Sequence, residues 1–491
     1  MYLGLDIGTS SVKGLLQSED GEIVASHSVD LAISRPVEGY SEQNPQDWIN
    51  ATDTIMSSLK DKAGHHLSQL LGIGLSGQMH GLVALDKADK ILRPAILWND
   101  ARCELQARML DTEYPEFRKI GGNAVMAGFT APKAVWMSHY EAELFDRIKT
   151  ILLPKDYVRF WLTGEKLSDM SDASGTLWLD VEKRKYSEQL LGYCGLDISQ
   201  MPGLREGSQP SGALRKKLAE KWGITSPVVV SGAGDNAASA CGLGVVCPGD
   251  AFLSLGTSGV IFSVTDKFLP SAENGVHAFC HALPDVWHQM VVVLSATDSL
   301  NWLSEITGHS IASLATAAST IQDKHSSLMF HPYLSGERTP LNDANARAGF
   351  IGLARSHTHA EMAYAVLEGV SYAMAECADV LAKIGQGPRS LLAVGGGSKN
   401  HQWLQLMADT TGLAIHLPME GEFGGALGAA RLGAIASGAS LTDILTKPNI
   451  KHIFHPRIDY CGFHNEKRNR WRATYNAVSY THLTLPTMFE V

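Results

Sequence analysis

Two carboxylates follow apolar runs at positions where a folded chain can present them to a ligand. Asp6 lies in the first apolar run, Y-L-G-L-D-I, and Asp235 follows Val228–Val230 and a Gly-rich turn, S-G-A-G. Runs of this kind predict buried strands, and ligands bind at the carboxyl ends of parallel strands. A carboxylate held there would meet the ligand directly. The alternative for Asp235 is the N-cap of a following helix, which is the stronger interpretation on local evidence.

The residues on either side of Asp235 predict how its carboxylate is positioned. Gly232 and Gly234 are expected to let the chain turn through backbone dihedrals that a larger residue resists. The small residues at 237–240, A-A-S-A, favour a helix packed closely against neighbouring backbone. Asp235 and Asn236 therefore lie at a junction between strand and helix.

A short hydroxyl-rich turn occurs twice in the chain. Gly8-Thr9-Ser10 follows the run that carries Asp6, and Gly256-Thr257-Ser258 follows a second apolar run, so that each copy reads G-T-S-x-V. Consecutive N–H groups in such a turn suit a phosphate, although a plain β-turn explains most lone copies. Gly8 and Gly256 are 248 residues apart (256 − 8), about half of the chain. This repetition predicts two similar α/β domains that face each other, with one phosphate loop from each.

Polar residues follow other predicted strands in the first half. Gln78 and His80 come after the apolar run at 70–75, and Asn99, Asp100 and Arg102 form a second set of donors and acceptors. Several such groups converging at strand ends suit a polyhydroxylated ligand. Solvated loop ends are the alternative for any one of them.

Three successive glycines lie between a predicted strand and a predicted helix in the second half. Leu391–Val394 leads into G-G-G-S-K-N at 395–400, and the helical pattern Trp403–Thr410 follows. A turn without side chains leaves room in which a nucleotide can rest. The run G-G-A-L-G-A-A at 424–430, by contrast, predicts a tightly packed helix with a structural role.

The composition predicts a globular protein of two large domains. Hydrophobic residues make up 45% of the chain, and the net charge of −10 argues against a nucleic-acid or anionic-membrane surface. The seven cysteines include no C-x-x-C pair, the N-terminus has no basic signal region, and no apolar run approaches the roughly 20 residues that span a bilayer. These features predict a cytoplasmic protein. We expect domains at 1–244 and 245–478, and a loose tail at 479–491 that resembles non-native sequence.

Together the motifs resemble the FGGY carbohydrate kinases. The resemblance rests on D-I-G-T-S-S-V-K-G at 6–14, G-D-N at 234–236, L-G-T-S-G at 255–259 and G-G-G-S-K-N at 395–400. A stretch at 348–368 is similar to an FGGY signature, and the match covers nearly the whole chain in order. The family shares the ribonuclease-H-like ATPase fold of actin and hexokinase, so the resemblance implies two such α/β domains facing across a catalytic cleft.

The resemblance implies an ATP-dependent kinase that phosphorylates a small-molecule sugar. S-G-Q-M-H-G at 76–81, L-W-N-D-A-R at 97–102 and L-S-G-E-R-T-P at 334–340 look most like the members that act on D-xylulose. Two alternatives stay open: a kinase of this family for ribulose, gluconate or glycerol, and an actin-like or chaperone-like ATPase. The lack of a separate client-binding region argues against the second. A homodimer also stays open, whereas no nucleic-acid or membrane partner is expected.

The resemblance also implies a role for each candidate residue. Asp235 would be the general base on the sugar hydroxyl, a role compatible with capping its helix. Asp6 would hold Mg²⁺, with Asp235 as the other residue at the metal. The sugar would contact Met79, His80, Asp235 and Asn236, and ATP would contact Gly8, Thr9, Ser10, Gly256, Thr257, Gly396 and Asn400. ATP and Mg²⁺ are the expected cofactors.

Overall fold

A computed structural model describes residues 1–321, 327–385, 387–419, 421 and 423–484. Its strands, in chain order, are β1 (Tyr2–Ile7), β2 (Ser11–Gln17), β3 (Ile23–Asp30), β4 (Glu42–Gln43), β5 (Gly72–Gly77), β6 (Val83–Leu85), β7 (Ala95–Ile96), β8 (Thr150–Leu152), β9 (Leu167–Asp169), β10 (Leu179–Asp180), β11 (Lys185–Tyr186), β12 (Gly203–Arg205), β13 (Pro210–Ala213), β14 (Val228–Val230), β15 (Ala233–Gly234), β16 (Ala251–Leu255), β17 (Gly259–Thr265), β18 (His277–Cys280), β19 (Trp287–Val293), β20 (Met329–His331), β21 (Gly349–Ile351), β22 (Ser390–Val394), β23 (Ala414–Pro418) and β24 (Ile450–Phe454). Its helices are α1 (Pro45–Ala63), α2 (Glu104–Glu113), α3 (Glu116–Ile120), α4 (Thr130–Tyr140), α5 (Ala142–Phe145), α6 (Pro154–Thr163), α7 (Met170–Ser174), α8 (Glu188–Tyr193), α9 (Lys216–Trp222), α10 (Asp235–Leu243), α11 (Thr297–Thr307), α12 (Ile311–Ser319), α13 (His359–Ile384), α14 (His401–Thr411), α15 (Gly425–Ala436), α16 (Leu441–Ile444) and α17 (Ile458–Thr484).

The first half of the chain builds a mixed sheet around β1. The strand order is β13-β14-β5-β1-β2-β3, and β15 also pairs with β5. β1 runs antiparallel to β2 and parallel to β5, which is in turn parallel to β14. β1 is almost wholly buried, as its apolar run predicts for a central strand.

The second half repeats this arrangement around β16. Its strand order is β18-β19-β17-β16-β22-β23-β24. β16 runs antiparallel to β17 and parallel to β22, which is parallel to β23. In both sheets one G-T-S turn joins the central strand to its hairpin partner. The expectation of two similar α/β units is confirmed.

Two helices join the halves through close contact of their backbones. α15 lies between β23 and β24 of the second sheet in the chain, but it packs on β1 and β5 of the first sheet and on α10. A Cβ atom added to Gly74 would lie 1.7 Å from the carbonyl oxygen of Ala429, and one added to Gly428 would lie 1.7 Å from that of Ala238. Backbones this close leave no room for a side chain. The small-residue run at 424–430 therefore has the packing role that the sequence predicts.

Replacing Gly74 by Ala should strongly destabilise the contact between α15 and the first sheet. The added methyl group would overlap the backbone of α15, so we expect a loss of about 3 kcal/mol or more, or a failure to fold. Gly192→Ala is the matched control, because a Cβ on this helical residue meets no atom within 4 Å. Thermal unfolding followed by circular dichroism compares the two variants. Equal midpoints would contradict the packing.

The C-terminal helix α17 is held against α13 and β20 by buried polar contacts. Lys467 Nζ lies 2.7 Å from Glu368 Oε2, and Trp471 Nε1 donates to the carbonyl oxygen of Phe330 at 2.8 Å. The helix continues to Thr484, whereas the sequence predicts a loose tail from residue 479 onward. The rest of the tail, 485–491, lies outside the described residues. The predicted boundary between residues 244 and 245 falls between α10 and β16 and stays a prediction.

Within the described part of the chain, no helix combines the length and apolar character needed to cross a membrane.

Candidate active site

Asp6 lies near the end of β1, where the two halves meet. Ser76, on the neighbouring strand β5, donates its hydroxyl to Asp6 Oδ1 at 2.8 Å, and no donor among the described residues reaches Oδ2. A Cβ on Gly425 would lie 3.0 Å from Asp6 Cγ, which places the carboxylate against the first turn of α15. Helix N-termini favour negative charge, whereas burial raises the pKa of the Asp6 carboxyl. Oδ2 is available to a cation.

Asp235 is the first residue of α10, and Gly234 is the N-cap. The backbone N–H and the side-chain amide of Asn236 donate to Asp235 Oδ1 at 2.7 and 2.9 Å, and Oδ2 has no donor among the described residues. The expected N-cap role of Asp235 is wrong, because α10 has no side-chain cap bond. Burial raises the pKa of Asp235 to about 6, and the charge of Asp6 adds to the rise. Such a carboxylate is ionised at neutral pH and can still accept a proton.

The turn ahead of Asp235 has glycine at two positions for different reasons. Gly232 has a φ of +83°, and an added Cβ would lie 2.1 Å from the carbonyl oxygen of Leu75. Gly234 has an ordinary φ of −58°, so the unusual dihedral expected there is wrong. A Cβ at this position would lie 2.8 Å from Met79 Cγ, so a larger residue would have to displace the Met79 side chain. Met79 therefore packs against the residue that precedes Asp235.

His80 presents a fixed acceptor in the same region. Its Nδ1 lies 2.7 Å from the carbonyl oxygen of Gly175, which can only accept, so Nδ1 carries the hydrogen and Nε2 keeps a lone pair. Burial lowers the pKa of His80 to about 3, which keeps the ring neutral. Lys133 and Thr130 donate to the His80 carbonyl oxygen at 2.8 and 3.1 Å and fix its backbone, which has a φ of +69°. His80 can therefore accept a hydrogen bond from a ligand hydroxyl.

A second histidine, His277, belongs to the second half of the chain and orients the Arg338 guanidinium of the same half. His277 Nδ1 donates to Asn123 Oδ1 at 2.9 Å, so His277 Nε2 accepts from Arg338 Nη1, also at 2.9 Å. Phe129 contacts both histidines, with its ring centroid 4.6 Å from that of His80 and 5.8 Å from that of His277. Burial, with a further contribution from the charge of Arg338, lowers the pKa of His277. Residues of both halves thus surround this region.

The first G-T-S turn has its carbonyl oxygens bonded by neighbouring residues. The pairs are Gln78 Nε2 to Gly8 (3.3 Å), Gln43 Nε2 to Thr9 (2.7 Å) and the Leu31 N–H to Ser10 (2.8 Å). Trp98, which is half exposed, donates its indole N–H to Thr9 Oγ1 at 2.9 Å. With the carbonyl oxygens held in this way, the N–H groups of the turn are left for an anion.

The second G-T-S turn is held in a similar way by the start of α11. The Ala296 N–H donates to the Thr257 carbonyl oxygen at 2.8 Å. The N–H and hydroxyl of Thr297 donate to the Gly256 carbonyl oxygen at 3.1 and 2.8 Å. The Gly256 N–H donates within the turn, to the Ser258 carbonyl oxygen at 3.1 Å, so in this turn the Thr257 N–H is left for an anion. Anion binding at both turns stays a prediction.

A cavity of about 620 Å³ lies beside the triple glycine, at the carboxyl ends of β22 and β23. Its lining includes Gly395, Ser398, Lys399, His401, Met419 and Phe423. Gly396 and Asn400, the residues predicted to contact adenosine, are neighbours of this lining rather than part of it. Asn400 caps α14 by accepting from the Trp403 N–H at 3.1 Å. The volume suits a nucleoside.

Comparison with known proteins accounts for the paired sheets and the site between them. Residues 1–242 match the N-terminal domain of the FGGY family of carbohydrate kinases, and residues 251–437 match the C-terminal domain. The chain belongs to the FGGY family. Its fold is the two-domain FGGY kinase fold, of the actin- and hexokinase-like ATPase type, and its reaction is that of an ATP-dependent sugar kinase.

Several FGGY kinases are similar to this chain over almost its whole length. It is 45% identical over 478 residues to the xylulose kinase of Escherichia coli (strain K12). The aligned residues cover 97% of this chain and 98% of that protein. It is 47% identical over 437 residues to the xylulose kinase of Klebsiella pneumoniae, with coverage of 89% and 90%. The crystal structure of a "xyloylose kinase" from Brucella ovis has a TM-score of 0.96 at 48% identity and covers 98% of this chain and 99% of that one.

The FGGY site also contains residues to which the sequence assigned no role. Ser76 orients Asp6, Gln43 and Trp98 hold the first G-T-S turn, and Lys133 fixes His80. Gln78, which the sequence places beside a polyhydroxylated ligand, also holds that turn. Ser76, Gln78 and Trp98 lie within the motifs at 76–81 and 97–102, so the sequence indicated that these residues lie near the site. The motifs could not show which side chain bonds to which partner.

Proposed function

We propose that this protein phosphorylates D-xylulose to D-xylulose 5-phosphate with ATP as donor. Its membership of the FGGY family makes it a kinase that acts on a small-molecule sugar. D-xylulose is proposed because relatives that match nearly all of the chain at 45–47% identity are xylulose kinases. The structural observation that carries the chemistry is Asp235, which is bonded through one oxygen only and has a pKa of about 6.

In this proposal Asp235 acts as the general base. Its Oδ2 takes the proton of the C5 hydroxyl as that oxygen bonds to the γ-phosphorus and the bond from phosphorus to ADP breaks. Asn236 donates to Oδ1 and so fixes the orientation of the carboxylate. His80 accepts from another sugar hydroxyl through Nε2, and Met79 supplies an apolar wall.

The phosphates are proposed to bind between the two G-T-S turns. The turn residues concerned are Gly8, Thr9, Ser10, Gly256 and Thr257. The N–H groups of all but Gly256 would neutralise phosphate oxygens, since the Gly256 N–H donates to the Ser258 carbonyl oxygen at 3.1 Å. Asp6 fits Mg²⁺, because its Oδ2 has no protein donor among the described residues and Mg²⁺ prefers oxygen ligands. The free Oδ2 of Asp235 takes the hydroxyl proton, so Asp235 would meet the ion through a bound water. When bound, the ion supplies further neutralising charge. Gly396 and Asn400 would contact adenosine at the edge of the cavity.

A kinase of the same family for another sugar is the second candidate. A gluconate kinase from Lactobacillus acidophilus has a TM-score of 0.90 at 25% identity, so the fold by itself does not fix the sugar. A coupled ADP-release assay with D-xylulose, D-ribulose, gluconate, glycerol or no sugar separates the candidates. We expect the highest turnover with D-xylulose. Preference for another sugar would overturn the substrate, and turnover that no sugar stimulates would overturn the kinase.

A cellular location is proposed together with the activity, and the oligomeric state is open to measurement. All seven cysteines are free thiols, which fits a reducing compartment, so we propose the cytoplasm. Light scattering of the purified protein distinguishes a monomer from a homodimer.

The pH dependence of kcat/KM should have an acid limb near pH 6. The base works only when ionised, and burial raises the pKa of Asp235 to about 6. Below that pH the ionised fraction, and with it kcat/KM, should fall about tenfold for each pH unit. Initial rates with D-xylulose give the profile, and thermal midpoints at each pH exclude unfolding as the cause. Unchanged kcat/KM down to about pH 5 would contradict the proposed base.

A further inference from the structure

Five ionisable residues form a sealed cluster behind the turn that carries Asp235. Lys155, Asp156 and Arg159 belong to α6, Asp169 precedes α7 and Asp172 lies within it. All five side chains are fully buried. Lys155 Nζ lies 2.6, 2.7 and 3.4 Å from oxygens of Asp156, Asp169 and Asp172, and Arg159 Nη2 lies 3.0 Å from Asp156 Oδ1. The three carboxylates lie close enough together to hold a metal ion, but the Lys155 ammonium contacts all three.

This cluster is hydrogen-bonded to both ends of the turn at 231–234. At the start of the turn, Arg159 Nη1 donates to the carbonyl oxygen of Ser231 at 2.8 Å. At its end, the Gly234 N–H donates to Ser171 Oγ at 3.1 Å, and Ser171 Oγ donates to Asp169 Oδ1 at 2.5 Å. The residue after Gly234 is the proposed base. A displacement of about 1 Å at such a residue can cost about 10²-fold in rate, so these two bonds bear on catalysis.

The charges of the cluster do not balance unless one carboxyl group holds a proton. Three carboxylates face two cations, and an uncompensated charge in a fully buried site is costly. Asp169 Oδ1 accepts three hydrogen bonds and Asp156 Oδ1 accepts two, whereas neither oxygen of Asp172 has a hydrogen-bond donor. Asp172 is therefore the least stabilised as an anion. Burial and the facing charges of Asp156, Asp169 and Asp235 raise its pKa, and the Tyr186 phenol also faces the cluster.

We propose that the cluster is the positioning device of the catalytic base: Ser171 and Arg159 fix the turn, and Asp172 is neutral. The role rests on the proposed kinase function. A neutral Asp172 leaves the cluster without net charge, so that it holds the Asp235 backbone without adding another negative charge behind the base. Ser171 acts through Gly234 and touches no substrate, which makes it a positioning residue.

Ser171→Ala tests the positioning. We expect kcat to fall about tenfold or more, while the Kd values of ATP and D-xylulose measured by calorimetry change by less than about threefold. Ser171→Thr, which keeps the hydroxyl, should recover most of kcat. Ser168→Ala is the matched control, because Ser168 Oγ is buried nearby and has no hydrogen-bond partner. An unchanged kcat in Ser171→Ala, or no recovery in Ser171→Thr, would overturn the positioning role. An inactive parent protein would instead overturn the kinase function.

Asp172→Asn tests the proton. An amide mimics a neutral carboxyl group, so kcat and the thermal midpoint should stay close to those of the parent, whereas Asp169→Asn should lower both. The infrared spectrum of the parent at neutral pH should contain a carbonyl band of a protonated carboxyl group that is missing from the spectrum of Asp172→Asn; the Glu337 carboxyl, whose pKa burial raises to about 7, contributes equally to both spectra. A large loss of stability in Asp172→Asn, or a spectrum without that band in the parent, would show that Asp172 is ionised and overturn this part of the inference.

Discussion

The Asp235→Asn variant is expected to lose about 10²–10⁴-fold in kcat while it still binds ATP and D-xylulose. The amide has the shape of the carboxylate but cannot accept the hydroxyl proton. The amide oxygen can still accept from Asn236, so the start of α10 should be preserved. Ligand binding should be kept because the proposed contacts of Met79 and His80 do not involve the lost charge. The ADP-release assay measures kcat, and calorimetry with each ligand measures binding.

The matched control for this variant is Asp47→Asn. Asp47 is also an acidic residue in the first turn of a helix, α1, but it is exposed. Removing its charge should leave kcat within about twofold of the parent, since it lies on the surface. If Asp235→Asn stayed within about tenfold of the parent, Asp235 would not be the base, because a general base contributes more than that.

The presence of two similar sheets could be predicted because a short local motif marks each of them. Each G-T-S turn follows an apolar run, and a turn of this length joins neighbouring antiparallel strands. The repeat at Gly8 and Gly256 therefore marks the same hairpin in both sheets. The order of the remaining strands depends on parallel pairings between distant segments, such as β1 with β5 and β16 with β22, which local patterns do not specify.

The position of α15 could not be predicted in the same way. Small residues at 424–430 show that a helix packs closely, but they do not name the surface it meets. Only the complementary glycines at positions such as Gly74, far away in the chain, decide that this surface belongs to the first sheet. The approach of Gly425 to Asp6, which brings a helix N-terminus to a site carboxylate, follows from this packing.

The exact start of α10 and the buried cluster were also beyond the sequence. A helix start predicted from sequence is uncertain by one or two residues, so the N-cap predicted at Asp235 lies one residue away, at Gly234. The sequence of Lys155 and its neighbours, P-K-D-Y, has the charged composition of a surface segment, and lysine is almost never fully buried unless it is paired. The partners of Lys155 at Asp169 and Asp172 lie on another element, and only the folded chain brings them together.

The Asp6→Asn variant is expected to show two effects that separate charge from shape. Asparagine can still accept from the Ser76 hydroxyl and fits against Gly425, so the thermal midpoint should change little. The loss of one charged oxygen at the proposed metal site should lower kcat by about 10²-fold and raise the Mg²⁺ concentration needed for half-maximal rate. Rates measured over a series of Mg²⁺ concentrations give both quantities.

The second effect of Asp6→Asn concerns the pH profile. The negative charge of Asp6 contributes to raising the pKa of Asp235, so removing that charge should lower this pKa and move the acid limb of kcat/KM to lower pH. Asp30→Asn is the control, because Asp30 is an exposed carboxylate at the end of β3 in the same sheet and should leave the limb in place. A limb that moves to higher pH, or equally in both variants, would contradict the assignment of that limb to Asp235, since only a nearby buried charge acts on one carboxyl group selectively.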